Sequence, residues 1–343
     1  MRVRRPWRLV VSVFALLACL AGLLVIGLSQ LAEQRPALDI YNHAMPYWLI
    51  LLAFIALTSA WFVWSAGHKT VLAAPALLFA ATLYLSWVFI GPEIAGFVRP
   101  QRAPAAPEAL KIVSYNLNMR NSAGPVAAEW IAAQKADIVL LQEAGDRSRE
   151  ILDALITQYP YQIDCLSSKA HCSTLILLRE PPRFSKGLAK GDPQNRKTLS
   201  AAYAESCFSG ALTRIVSVHL SRPGGARKQE RDMVRLAKEM EQFPPDSIIV
   251  AGDFNATPWS FALRDLDHAL GVKRITHGLM TWPADDPYLP PLLPIDHVYV
   301  GDRFQVRDIR LGPANGSDHR PVIVSLALKT TAGATSDSDA ECL

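Results

Sequence analysis

The chain has 343 residues, of which 50% are hydrophobic, and its formal net charge is +4. This hydrophobic fraction is too high for one ordinary soluble domain, and the excess lies before Gly91. Part of the modest positive charge comes from arginines at the N-terminus, so the charge does not indicate a nucleic-acid-binding protein.

Three long apolar runs without charged side chains cover residues 9–28, 47–64 and 71–90. Each run has the length that a helix needs to cross a bilayer core of about 30 Å. The sequence therefore predicts an anchor of three transmembrane helices over residues 1–91. For the first run, which follows several arginines, a cleaved signal peptide is the alternative interpretation.

Basic flanking residues predict the orientation of these spans. Arginines precede the first span, and Lys69 lies in the second connection. The first connection contains Glu33 and Asp39 as well as Arg35. This bias places the N-terminus in the cytoplasm. Because the number of spans is odd, we expect everything after residue 91 on the opposite face of the inner (cell) membrane, which in a bacterium is the periplasm.

Cysteine usage is compatible with an oxidising compartment. Cys165 and Cys172 flank a polar loop that a disulfide would close, and two small core thiols are the equal alternative. Cys207 has no obvious partner in the sequence, and Cys19 lies within the first span.

Composition divides the rest of the chain into three parts. Residues 92–109 are rich in Pro and Ala and predict a linker, and residues 330–343 are small and polar and predict a disordered tail. Residues 110–329 suffice for one domain, with strands at 111–117, 137–142, 173–178, 199–205, 212–220, 247–251, 295–300 and 321–328, and helices at 125–134, 148–158 and 227–242. Because some strands follow each other without a helix, the pattern favours a layered α/β sandwich over a doubly wound sheet.

Six ends of predicted elements carry polar side chains of the types that metal-assisted phosphoester hydrolysis requires. In chain order they are Asn116 with Asn118, Glu143, His219, Asp253 with Asn255, Asp296, and Asp318 with His319. Each alone has a plainer explanation, such as an Asx turn, a helix cap or a core histidine. Strand ends converge in layered α/β proteins, so the set predicts one shared cleft.

On these motifs the domain resembles the endonuclease/exonuclease/phosphatase superfamily of DNase I-like proteins, as a membrane-anchored bacterial member. Gly-Asp-Phe-Asn at 252–255 and Ser-Asp-His at 317–319 are the most specific markers. The resemblance spans essentially the whole of 110–329. It implies a four-layer α/β sandwich, with two mixed sheets face to face between outer helices. It also implies a divalent metal, Mg²⁺, with Mn²⁺ as the alternative.

The resemblance also implies roles for individual residues. Glu143, Asp318 and Asn116 would hold the metal, and Asn255 would hold the attacking water or a phosphate oxygen. The scissile phosphate would be contacted by His219 and His319.

For the remaining residues the implied roles leave alternatives open. Asp296 would accept the Nδ1 proton of His319, and either Asp253 or His319 would be the general base. Asn118 stands where some relatives carry an acid, and it would face substrate. Trp282 would either line the cleft rim and contact substrate or pack within its loop.

These expectations predict a metal-dependent phosphoesterase, of phosphodiesterase, nuclease-like or phosphatase type, in which an activated water attacks in line. The substrate would be a nucleic acid, a lipid headgroup or a small phosphoester, and the bilayer is the other expected partner. The sequence indicates no obligate protein partner. The alternative is a catalytically silent binding or scaffold module of the same fold, tethered to the membrane.

Overall fold

A computed structural model of the chain describes residues 6–65, 67, 69–98, 109–144, 148–165, 173–188, 199–329 and 342. It divides into two compact units. The first contains the chain up to Ala95 together with Pro258–Phe261, and the second contains Gly96–Thr257 and the chain from Ala262 onward. Most of the predicted linker (99–108) and all of the predicted tail except Cys342 lie outside the described residues.

The first unit is built on long apolar helices. They are α1 (Pro6–Gln30), α2 (Met45–Ser65), α3 (Ala73–Leu85) and α4 (Gly91–Val98), with a π turn at Ser86–Ile90 and 3₁₀ turns at Leu31–Glu33, Pro36–Ala44 and Lys69–Leu72. Three stretches of the described chain are long and apolar enough to span a membrane, Val10–Glu33, Pro36–Ser65 and Ala73–Phe97. The predicted membrane anchor of three helices is thereby supported.

The predicted linker begins too early, because residues 91–98 form α4 and continue the third apolar helix. The Pro and Ala content of residues 92–109 predicted an extended linker, and Pro92 is the first of its prolines. The helix accommodates this proline because a π turn precedes it. The Gly91 N–H bonds to the Ser86 carbonyl, and the helix widens just before Pro92.

The second unit contains two six-stranded mixed sheets. The first has the order β11-β12-β1-β2-β4-β3, and the second has the order β5-β6-β7-β8-β10-β9. In chain order, the strands are β1 (Leu110–Asn116), β2 (Ile138–Gln142), β3 (Tyr161–Asp164), β4 (Thr174–Leu178), β5 (Phe184–Gly187), β6 (Ser200–Phe208), β7 (Ala211–His219), β8 (Ile248–Asp253), β9 (Lys273–Arg274), β10 (Asp296–Val300), β11 (Phe304–Leu311) and β12 (Val322–Leu328).

Four layers follow from how these elements bury their apolar side chains. One core lies between the sheets and draws on both, with Ile112 and Ile138 from the first sheet and Ile215 and Ile249 from the second. A second core joins the first sheet to α5 (Gly124–Gln134) and α6 (Arg149–Leu155), and a third joins the second sheet to α7 (Ala226–Met240) and α8 (Phe261–Ala269). The four-layer α/β sandwich is confirmed.

The strands that the sequence did not predict are mostly short or lie at sheet edges. β5, β3, β9 and β11 occupy the four outer positions of the two sheets. Edge strands tolerate charged side chains and bulges, and β11 contains both, with Asp308 and Arg310 on it and a register shift between Val306 and Asp308. Their hydrophobic pattern is therefore too weak to read as a strand.

Cys207, which has no obvious partner in the sequence, is paired in the structure. It forms a disulfide with Cys342, at a Cα–Cα distance of 5.7 Å and a sequence separation of 135. Sequence spacing could not reveal this pair, because only the fold brings the end of β6 to the C-terminal segment. Cys165 is also disulfide-bonded, and its predicted partner Cys172 lies outside the described residues.

Candidate active site

Strand pairing brings the sequence motifs to one end of the two sheets. In the parallel pair β1–β2, Asn116 lies beside Gln142, the residue before Glu143. In the parallel pair β7–β8, His219 lies beside Asp253, which also faces Asp296 in the antiparallel pair β8–β10. Because parallel strands end at the same edge of a sheet, the motifs of each sheet meet there.

Gly252 makes the close approach of β7 and β8 possible. Its φ is +150°, and a Cβ atom there would lie 1.9 Å from the backbone oxygen of Val218. Any side chain at this position would therefore push apart the strands that carry His219 and Asp253. The glycine of the Gly-Asp-Phe-Asn motif therefore has a backbone role.

Three site loops turn through left-handed residues directly after a strand. Asn118, Glu143 and Asn255 have φ values of 56°, 53° and 50°. Such conformations are uncommon for residues other than glycine and concentrate at functional sites. Short polar bonds brace two of these turns: the Asn118 N–H bonds to Asn116 Oδ1 at 2.9 Å, and the Asn255 N–H bonds to Asp253 Oδ1 at 2.8 Å.

Asp253 lies at the centre of the cluster and is buried. Its Oδ2 accepts hydrogen bonds from Asn116 Nδ2 at 3.0 Å and from Asn255 Nδ2 at 3.2 Å. The Nε2 atoms of His219 and His319 lie 3.7 and 3.8 Å from the same oxygen. Because Asn116 belongs to the first sheet and Asp253 to the second, this carboxylate joins the two halves of the domain.

His319 and Asp296 form a buried hydrogen-bonded pair, with 2.8 Å between His319 Nδ1 and Asp296 Oδ2. Burial alone would lower the pKa of His319, but the carboxylates of Asp296 and Asp253 outweigh it and raise that pKa to about 10. Burial raises the pKa of Asp253, against the opposing charge of His319. At neutral pH the pair therefore holds an imidazolium, and Asp253 is a more basic carboxylate than usual.

Two sets of residues offer donor atoms that a metal ion could use. Donor atoms of Asp253, Asp296 and His319 lie within 4.8 Å of one another. We do not favour this set, because the Nδ1 of His319 is bonded to Asp296 and its raised pKa keeps the ring protonated, and a protonated imidazole cannot be a ligand.

Glu143 fits a hard cation better. Burial would raise the pKa of Glu143, but the Met119 N–H, at 3.1 Å from Oε2, and the nearby side chains of His219, Asn116 and Arg222 lower it overall. The group is therefore an ionised carboxylate, which is the ligand type that Mg²⁺ prefers. Asp318, a second carboxylate, has its Oδ2 held by Trp282 Nε1 at 3.1 Å.

His219 is oriented by a residue that the sequence did not suggest. Ser173 Oγ lies 2.7 Å from His219 Nδ1, and this bond directs Nε2 toward Asp253 Oδ2 and toward Glu143 Oε1, which is 3.8 Å away. Ser173 precedes β4 and no motif marks it. Only the fold shows that it faces the end of β7.

Ser173→Ala is expected to lower kcat about 3- to 10-fold with little change in thermal stability, because one hydrogen bond that orients His219 is lost. Steady-state kinetics with a soluble phosphodiester would measure this. Ser173→Thr keeps the hydroxyl and should restore most of the rate, and Ser206→Ala, on β6 away from this edge, is the control. A full-rate Ser173→Ala enzyme would contradict the orienting role.

Helix α7 supports the site through buried polar side chains. Gln229 Nε2 donates to the Asn255 carbonyl at 2.7 Å, and Ser221 donates to Asp232. Gln229 occupies the helical stripe that Met233 and Leu236 continue into the core, so a polar residue at a core position was the available signal. Arg222, which is exposed, reaches Glu143 at 3.5 Å.

The structure thus gathers Asn116, Glu143, His219, Asp253, Asn255, Asp296 and His319 in one network. Asn118 lies at its border, where its Oδ1 accepts the N–H of Arg120 at 2.9 Å. Trp282 is half-buried and bonds to Asp318. His297, which follows Asp296 in β10, is buried. Its Nε2 lies 2.8 Å from the Ala256 carbonyl and its Nδ1 3.3 Å from Thr276 Oγ1, which makes it a structural residue.

A family model described as Endonuclease/Exonuclease/phosphatase family matches residues 113–319, more than half of the chain. The chain belongs to this family. The matched segment begins in β1 and ends at His319, so it contains every element that contributes to the network. No curated protein matches the chain.

Solved structures support the same fold. An endonuclease/exonuclease/phosphatase from Bacteroides vulgatus matches 64% of this chain and 99% of its own, with a TM-score of 0.54 and 17% identity. The D. rerio TDP2 complex with a single-strand DNA product matches 64% and 99%, with a TM-score of 0.53 and 18% identity. A doubly substituted beta toxin from Staphylococcus aureus with bound magnesium ions matches 64% of this chain and 100% of its own, with a TM-score of 0.50 and 16% identity. At these identities the similarity shows the fold alone.

Proposed function

We propose that this family member is a metal-dependent phosphoesterase that uses water as the nucleophile. The observation that carries the proposal is the convergence on Asp253 Oδ2 of two amides and two imidazoles, beside the ionised Glu143. Such a set supplies a base, hydrogen-bond donors for phosphoryl oxygens and an anionic metal ligand. These are the groups that phosphoester hydrolysis needs.

Asp253 is the proposed general base. His319 is protonated at neutral pH and cannot accept a proton, whereas the raised pKa of Asp253 improves it as an acceptor. Water attacks phosphorus as Asp253 takes its proton, and the bond to the leaving oxygen on the opposite side breaks. Asn116 and Asn255 hold the carboxylate in place.

His319 and His219 are the proposed donors to the phosphoryl oxygens. The charge of the His319 imidazolium is maintained by Asp296, and the orientation of His219 by Ser173. Both donors would gain strength as negative charge accumulates in the transition state. Asn118 and Trp282, at the border of the network, are the proposed substrate contacts.

The donor chemistry fits Mg²⁺, with Mn²⁺ as the alternative, held by Glu143 and Asp318 and completed by Asn116. When bound, such an ion neutralises phosphate charge and polarises the phosphoryl group. Bound magnesium in the beta toxin of the same fold supports this assignment.

The test uses the full-length protein in detergent, with plasmid DNA, bis-p-nitrophenyl phosphate and phospholipid, each with Mg²⁺ and with EDTA. We expect magnesium-dependent turnover of at least one substrate, loss of turnover in His319→Ala, and normal turnover in His268→Ala, an exposed histidine on α8. If no substrate is hydrolysed, the chain is a silent binding module instead. Turnover in His319→Ala equal to that of the wild type would show that the hydrolysis does not depend on the proposed site.

We also propose that the second unit lies outside the cytoplasm. The disulfide between Cys207 and Cys342 and the disulfide-bonded Cys165 favour an oxidising compartment, in agreement with the basic N-terminus. Alkaline phosphatase fused after Leu343 should be active in a bacterial host. An inactive fusion together with an active cytoplasmic reporter at the same position would overturn this orientation.

A further inference from the structure

A braced loop rises from the candidate site between Trp282 and Leu293. Its base is a short antiparallel bridge, in which the Trp282 N–H bonds to the Leu293 carbonyl at 3.0 Å and the reverse bond measures 2.7 Å. Two further bonds attach the base to the Ser-Asp-His turn: Trp282 Nε1 bonds to Asp318 Oδ2, and the Ala284 N–H bonds to the Asp318 carbonyl at 2.8 Å. The base of the loop is therefore attached directly to the turn that carries Asp318 and His319.

The tip of this loop presents apolar side chains to solvent. Tyr288 is 91% exposed, Leu289 56% and Leu292 37%. Asp286 Oδ1 accepts the N–H groups of Tyr288 and Leu289, at 2.7 and 3.3 Å, and three prolines at 287, 290 and 291 fix the backbone around them. Scattered exposed apolar residues are ordinary, but here a stiff loop holds them together and away from the core.

The chemistry of the loop favours a lipid surface as its occupant. Residues 283–293 include Asp285 and Asp286 and no lysine or arginine, so a nucleic-acid backbone would be repelled. A tyrosine beside leucines suits the boundary between headgroups and acyl chains. The same chain carries three helices that are long and apolar enough to span a membrane.

We propose that the tip formed by Tyr288, Leu289 and Leu292 contacts the surface of a bilayer of uncharged or zwitterionic lipids, and that it directs the adjoining site to phosphoesters carried by lipids. The part about substrate rests on the proposed function. The part about contact does not, because the exposure and bracing of the tip are independent of any reaction. The two acids beside the tip predict weaker contact with anionic lipids.

The contact is tested with the full-length protein in phosphatidylcholine nanodiscs. Leu289→Cys carries an environment-sensitive fluorophore, and lipids with brominated acyl chains serve as the quencher. The matched control is Val234→Cys, an equally apolar and 63% exposed position on α7. We expect quenching at position 289 at least about threefold stronger than at position 234. Equal quenching would overturn the proposal, as would quenching that is stronger in phosphatidylglycerol nanodiscs.

The substrate part is tested with the full-length protein in phosphatidylcholine vesicles, by comparing the hydrolysis of phospholipid with that of bis-p-nitrophenyl phosphate. The double variant Tyr288→Ser, Leu289→Ser should lower kcat/KM for phospholipid about tenfold or more, because it removes the apolar contact, and should leave bis-p-nitrophenyl phosphate within about twofold. Val234→Ser should change neither rate.

Three results would contradict the substrate part in different ways. An equal loss on both substrates would assign the tip to folding of the site. Hydrolysis of plasmid DNA with phospholipid untouched would overturn lipid specificity and leave the phosphoesterase function intact. Absence of hydrolysis on every substrate would contradict the proposed function itself, and the fluorophore measurement would still decide whether the tip contacts the bilayer.

Discussion

Asp253→Asn is expected to lower kcat about 10³-fold. The amide keeps the size of the side chain and can still accept the Asn255 N–H, but it cannot take a proton from water. It also places an NH₂ group where Asn116 and Asn255 now direct theirs, so the bonds that orient the side chain are weakened. Steady-state turnover of a soluble phosphodiester at saturating Mg²⁺ measures the loss.

The control for this experiment is Asp302→Asn, a carboxylate that is exposed and pairs with Lys273 at 2.6 Å. It should have wild-type kcat. Far-ultraviolet circular dichroism should show that Asp253→Asn remains folded. A folded Asp253→Asn enzyme within about tenfold of the wild-type rate would remove Asp253 from the role of base.

His319→Ala should lower kcat by about 10² to 10³, and Asp296→Asn by about 10 to 10². The first change removes a charged donor to phosphate, and the second removes the carboxylate that keeps this donor protonated. If Asp296 acts only through His319, the double variant will be no slower than His319→Ala alone.

A double-mutant cycle measures this coupling. If the losses in kcat of the two single variants multiply in the double variant, Asp296 contributes independently of His319. That result would contradict the proposal that the two residues act as a pair. The thermal unfolding of each variant is measured as well. Removing the His319 imidazolium leaves the carboxylates of Asp253 and Asp296 buried beside each other without this cation.

Much of the fold was predictable because its central strands are buried. Strands such as β2 and β8 have every residue buried and appear in the sequence as short apolar runs with sharp ends. β5 and β11, at the sheet edges, have no such run, and the sequence prediction omitted them. The predicted linker began too early because α4 continues the third apolar helix through Pro92 to Val98.

The residues of the candidate site also fall into a predictable group and a group that the sequence does not mark. Residues at strand ends, such as Glu143 and Asp253, were predictable because the edge of a sheet brings them together. Ser173 and Gln229 act on His219 and Asn255 from outside any motif. Ser173 has no sequence signal, and Gln229 is marked only as a polar residue in the apolar stripe of α7. The partner of Cys207 was hidden for the same reason, since 135 positions separate it from Cys342.

Carboxylates at these strand ends are proposed to form a magnesium-dependent catalytic centre. Its most direct test is a Mg²⁺ titration of phosphodiester turnover after EDTA treatment, for the wild type, for Glu143→Gln and for Glu230→Gln, an exposed glutamate on α7. We predict that EDTA abolishes turnover, that Mg²⁺ restores it, and that Glu143→Gln requires at least about tenfold more Mg²⁺ while Glu230→Gln follows the wild type. Turnover that survives EDTA, or a Glu143→Gln curve that overlays the wild type, would contradict the claim.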